Sequence, residues 1–94
     1  MAKEKGKDNS KDNIIAIGKK DMHKYVTSAL IQLQNSNNIM IVARGRQIAR
    51  AVSLSQILKN KFNFKIGKVE IGTEEIETES GKANVSNISI EVFR

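Results

Sequence analysis

The segment Ile39–Arg50, IMIVARGRQIAR, decides how the chain is read. Ile39-Met40-Ile41-Val42-Ala43 is an apolar run rich in β-branched side chains, with no polar face, as a central strand would have. It stops at Arg44-Gly45-Arg46, and a helical pattern begins at once. Gly45 permits a sharp turn, and the turn delivers two guanidinium groups to the start of a helix. That end of a helix already carries partial positive charge and favours anions. Two Arg residues there oppose the local field unless a negative partner is present. Backbone N–H groups, the helix dipole and two planar Arg forks together make a phosphate-binding arrangement.

The same design precedes it. Ile14-Ile15-Ala16-Ile17 reads as a short strand ended by Gly18. Lys19-Lys20 fill the turn, and Asp21 is placed to cap the next helix. In that helix Met22, Tyr25, Val26, Ala29, Leu30 and Leu33 recur at helical spacing. Asn35-Ser36-Asn37-Asn38 should stop it, because Asn tolerates the left-handed conformation of a helix end. The second helix is expected from about Arg46 to Phe62, with an apolar stripe that includes Ile48, Ala51, Val52, Leu54, Ile57, Leu58 and Phe62. The stripe is broader than one core-facing side requires, and Leu54 and Phe62 read as spare apolar surface. Lys59 and Lys61 lie in its last turn, where the dipole favours cations.

Downstream, Val69–Glu79 alternates as a strand, with Val69, Ile71 and Thr73 on one side and Ile76 out of step. A bulge at Gly72 would restore the pattern. Ser80-Gly81-Lys82-Ala83-Asn84 is turn chemistry, and Val85–Phe93 returns with Ile88, Ile90 and Val92 on one face. The order β-α-β-α-β-β predicts an α/β fold of two α+β layers. Two strand-helix units imply a parallel strand pair with right-handed crossovers, in a four-stranded mixed sheet. The helices cover one face, and a long hairpin extends from the body.

The 94 residues suit one domain over residues 13–94, preceded by a polar, basic tail over residues 1–12 that is expected to be disordered. Nothing resembles a signal peptide or a membrane span, and there is no cysteine, so a cytosolic setting is expected. The net charge of +6 is unevenly spread. Residues 1–68 hold 14 basic against 4 acidic side chains, whereas residues 69–94 hold 2 against 6. This asymmetry points to a polyanionic partner on one side of the molecule.

Catalysis finds little support. His23 is the only histidine and reads as a surface helix residue, without partners that would make a metal site. Ser53 and Ser55 lie within a helical pattern and form no nucleophile elbow. Glu70, Glu74, Glu75, Glu77 and Glu79 read as a solvated strand face, and no Gly-rich nucleotide loop is present. Neither cofactor nor metal is expected. The chemistry lies instead in the two strand-to-helix turns. If their strands are parallel neighbours, Lys19, Lys20, Arg44 and Arg46 meet at one rim of the sheet, beyond the strands' carboxyl ends. Lys82, near the hairpin tip, is a further candidate for a groove contact. The chain has only Tyr25, Phe62, Phe64 and Phe93 as aromatics, too few to interleave the strands for base stacking. Contacts to backbone phosphate, with little sequence preference, are expected to dominate.

From Asn13 to Phe93 the chain resembles the Alba family of archaeal chromatin proteins. The resemblance is carried by Ile17-Gly18-Lys19-Lys20 and the Tyr25 helix, Ala43-Arg44-Gly45-Arg46-Gln47-Ile48 with Ala51-Val52, Lys59-Asn60-Lys61-Phe62, and Val85-Ser86. It implies a fold like the C-terminal domain of a bacterial translation initiation factor. It also implies a homodimer that binds double-stranded DNA, and RNA, without marked sequence preference. In the family the Lys pair and the Arg-Gly-Arg turn line a basic saddle, corresponding here to Lys19, Lys20, Arg44 and Arg46. Paired hairpin arms reach along the minor groove, the position of Phe62 lies in a dimer–dimer contact, and Lys19 matches a position acetylated in the family. Family hairpin tips often carry several Arg residues, whereas this one has Lys82-Ala83-Asn84, so a weaker arm contact is expected.

The expected function is therefore non-sequence-specific nucleic-acid binding and chromosome compaction in the cytoplasm. A primarily RNA-binding or ribonucleoprotein role is the alternative. A protein–protein adaptor for an acidic partner is a third reading.

Overall fold

The computed structural model describes residues 13–94, so the expected disordered tail over residues 1–12 lies outside the described residues. The elements are β1 (Ile14–Ala16), α1 (Met22–Asn35), β2 (Asn38–Arg44), a 3-10 turn (Gly45–Gln47), α2 (Ile48–Phe62), β3 (Lys65–Thr78) and β4 (Gly81–Phe93). They form one sheet in the order β1-β2-β4-β3. β1 runs parallel to β2, and the other two pairings are antiparallel. The expected β-α-β-α-β-β order and mixed sheet are both present.

Alternation explains the core. Ile15 and Ile17, Ile39, Ile41 and Ala43, and Ile88, Ile90 and Val92 are buried on one face of the sheet. Tyr25, Ala29 and Leu33 of α1 and Ala51, Leu54 and Leu58 of α2 pack on them. Helical spacing puts each helical trio on one stripe.

Leu54 corrects the sequence reading. It is not spare surface but fully buried, at 0% exposure. The stripe of α2 is Ala51, Leu54, Ser55 and Leu58. Ser55 hides this spacing in the sequence because it is polar. Its hydroxyl donates to Val52 O at 2.7 Å, which satisfies it inside the core. Phe62 does remain exposed, as does Val52.

The helix ends also differ from expectation. Asp21 occupies the position before α1, but its side chain makes no capping bond. α1 ends at Ser36 in an extended conformation, with φ −138°, and its hydroxyl donates to Asn13 Oδ1 at 2.9 Å. No left-handed residue is needed there, because the chain passes directly into β2. The left-handed asparagine is Asn63, with φ 64°, where the chain must reverse from α2 into β3. α2 itself begins at Ile48, after the 3-10 turn, rather than at Arg46.

The hairpin is longer and tighter than expected. Only Glu79 and Ser80 separate the strands, so Lys82 lies within β4. No bulge occurs at Gly72, because the register runs unbroken from Val69 to Thr78, and Ile76 points to the face opposite Ile71. The register shift falls between Ile66 and Val69. There Glu91 and Phe93 lie over the backbone, and a Cβ on Gly67 would come within 2.6 Å of Glu91 Oε1 and 2.7 Å of Phe93 Cε1. Lys68 N–H donates to Glu91 Oε1 at 3.3 Å in the shifted region.

Candidate nucleic-acid interface

Parallel pairing of β1 with β2 matches Ile14 to Met40 and Ala16 to Val42. Ile17 N–H donates to Val42 O at 2.9 Å, so the pairing persists to the end of the shorter strand. Both strands then leave the sheet at the same edge. The structure thus brings the Gly18-Lys19-Lys20 turn and the Arg44-Gly45-Arg46 turn to one rim. Lys19, Lys20, Arg44 and Arg46 are all exposed. Gly45 has φ +62°, a left-handed conformation that other residues adopt at a cost of about 1 kcal/mol. That conformation opens the 3-10 turn that leads β2 into α2. Neither helix has an acidic side chain in its first turn. The positive ends of two helix dipoles therefore face the rim together with the four cations.

The two turns are held differently. Arg44 Nη1 lies 3.2 Å from Glu74 Oε1 of β3, and Glu74 Oε2 accepts from Asn87 Nδ2 at 3.1 Å. Both members of the ion pair are about half or more exposed, so solvent screens the pair heavily. The Lys turn is held through its backbone. The Tyr25 hydroxyl accepts from Gly18 N–H at 2.7 Å and from Lys20 N–H at 3.3 Å. Arg50 of α2 donates to Gly18 O at 2.6 Å and also to Lys20 O. Its guanidinium carbon sits 5.7 Å from the centre of the Tyr25 ring.

Sequence reasoning missed Arg50 and gave Tyr25 only a packing role. The available signal was spacing, since Arg50 stands one helical turn after Arg46 and so lies near the same rim. Its partners are 30 and 32 residues away, beyond any local pattern.

Lys82 is not part of the rim. It lies five residues beyond Asn87, the partner of Arg44 in β4, or about 17 Å along the strand. Its Nζ is 3.9 Å from Glu75, and Glu77 stands directly opposite. Phe62 closes the far end of α2, about 21 Å from Ile48 at its rim end at 1.5 Å per residue, and is 41% exposed.

The chain is thus a small two-layer α+β module with a cationic rim at two helix N-termini, an arrangement whose electrostatics favour anions. The Alba family model matches residues 13–76. A DNA/RNA-binding protein Alba from Nitrosopumilus maritimus is 48% identical over 84 residues, spanning 85% of this chain and 88% of that protein. Alba from Thermoplasma volcanium, a solved structure, superposes with a TM-score of 0.80 at 39% identity, covering 87% of this chain and all of that one. ALBA1 from Trypanosoma brucei shares the fold, with a TM-score of 0.75 at 20% identity, over 88% of this chain and 69% of that one. The chain belongs to the Alba family.

Proposed function

We propose that this protein binds double-stranded DNA and RNA through their phosphates, without marked sequence preference, as a homodimer that coats and compacts the chromosome in the cytoplasm. The observation that carries this reading is the convergence of Lys19, Lys20, Arg44 and Arg46 at one rim, each pair beside a helix N-terminus. Relatives named DNA/RNA-binding proteins at up to 48% identity support it. Tyr25 is buried with its hydroxyl occupied, and Phe64 and Phe93 are partly buried, which favours phosphate contact over base stacking. Ile71, 80% exposed, and Val69, 50% exposed, lie on edge strand β3 and support self-association. Acetylation of Lys19 would remove one rim charge and weaken binding.

A mobility-shift salt titration with matched DNA and RNA duplexes tests the reading. The logarithm of affinity should fall linearly with the logarithm of salt, steepening by roughly 0.9 for each DNA phosphate neutralised. Tighter binding to the RNA duplex at equal salt would instead favour a ribonucleoprotein role. Failure to shift either duplex at low salt would favour an adaptor for an acidic protein.

Two variants sharpen the site. Glu74 competes with phosphate for Arg44, so Glu74→Gln should strengthen duplex binding about two- to fivefold, the range expected for releasing one exposed ion pair. Weaker binding in the same titration would show that Glu74 orients Arg44 productively. Phe62→Ala should leave the dimer intact in sedimentation while lowering cooperativity along long DNA, since Phe62 is remote from the rim. A dimer that dissociates would place Phe62 in the primary interface.

A further inference from the structure

Arg50 presents itself first as one more cation near the rim, available to phosphate. Its geometry argues otherwise. One guanidinium nitrogen donates to Gly18 O at 2.6 Å and the other to Lys20 O, while the plane of Tyr25 lies alongside. The Tyr25 hydroxyl meanwhile takes the N–H groups of the same two residues. The backbone on either side of Lys19 is therefore gripped twice, its carbonyls by α2 and its amides by α1. Lys19 is the residue between, and its side chain stays exposed.

We infer that Arg50, with Tyr25 as its brace, is a positioning residue for nucleic-acid binding. It clasps the Gly18-Lys19-Lys20 turn to the helix that follows the Arg44-Gly45-Arg46 turn, so that both cation pairs are presented in one fixed arrangement. The inference rests on the phosphate-binding reading of the rim. A short turn with two lysines otherwise loses backbone freedom on binding. The clasp makes that loss during folding instead. Arginine suits the task because its planar fork reaches two acceptors at once. Lysine carries the same charge but presents it as a point on a flexible stem.

Arg50→Lys therefore separates geometry from charge. The variant should bind duplex DNA on the order of tenfold more weakly than wild type at fixed salt, the equivalent of one reordered residue. Amide hydrogen exchange at Gly18 and Lys20 should accelerate, while exchange at the core residues Leu33 and Leu58 stays unchanged. Tyr25→Phe, which keeps the ring and removes the acceptor, should accelerate the same two amides. In a Lys19→Ala/Lys20→Ala background, Arg50→Lys should cost no further affinity, since nothing remains for it to position. Full affinity in Arg50→Lys, or a loss that adds to the double lysine variant, would overturn the positioning role. Wild-type protein that shifts no duplex would overturn the nucleic-acid reading itself, and the exchange rates would still report whether the clasp holds.

Discussion

Lys20→Ala combined with Arg46→Ala should weaken binding to any duplex by about two orders of magnitude at moderate salt. Each of the four solvent-exposed cation–phosphate contacts that the proposed dimer loses contributes about 0.7 kcal/mol, within the range for exposed ion pairs. The two side chains come from different turns of the rim, and so from different helix N-termini. The affected quantity should include the salt dependence as well as the affinity. In the proposed dimer each substitution removes two cations, so each should flatten the log–log slope on DNA by about 1.8. The loss should be uniform across unrelated sequences, because phosphates are identical along a duplex. Electrophoretic titrations on two duplexes of different sequence, each at several salt concentrations, measure both quantities. A loss confined to one sequence would mean that a base edge, rather than the backbone, is being read.

Leu54→Ala should destabilise the fold by about 3 kcal/mol, within the range for removing a fully buried Leu. For a domain of this size that corresponds to a melting temperature lower by roughly 15 °C. Val52→Ala, two residues earlier and 42% exposed, should change stability by less than about 0.5 kcal/mol. Thermal unfolding of the two variants side by side checks the assignment. Equal losses would place both residues at a shared surface rather than one in the core.

The contrast between Leu54 and Val52 shows where sequence patterns carry and where they stop. The two strand-helix units were legible because each couples an apolar run to a Gly-containing basic turn and a 3.6-residue periodicity. Their parallel pairing then followed from the crossover geometry, and with it the common rim. The inward face of β4 was legible because Ile88, Ile90 and Val92 alternate without interruption. Leu54 was not, because Ser55 interrupts the stripe and only its bond to Val52 O reveals it as a core residue. The register shift near Gly67 was missed for another reason. It depends on Glu91 and Phe93 crossing over from a strand whose register the sequence leaves open. Arg44 and Arg50 both carry formal charge, yet one meets a carboxylate and the other two carbonyls, each about 30 residues distant. Composition counts both as equal contributions to the rim.

The sheet's two halves are unequally supported. β2 accompanies β4 only as far as the Arg44–Asn87 pair. Beyond it, from Thr73–Ser86 to Thr78–Gly81, the last two strands run on as a ribbon of six residue pairs with no third strand beside them among the described residues. Such a ribbon draws little from a hydrophobic layer and is marginal by itself. Its backbone protection should fade stepwise toward Glu79 while the body stays closed, so that it bends and twists at small energetic cost. Glu74, two pairs past the junction, ties the root of this compliant finger to Arg44.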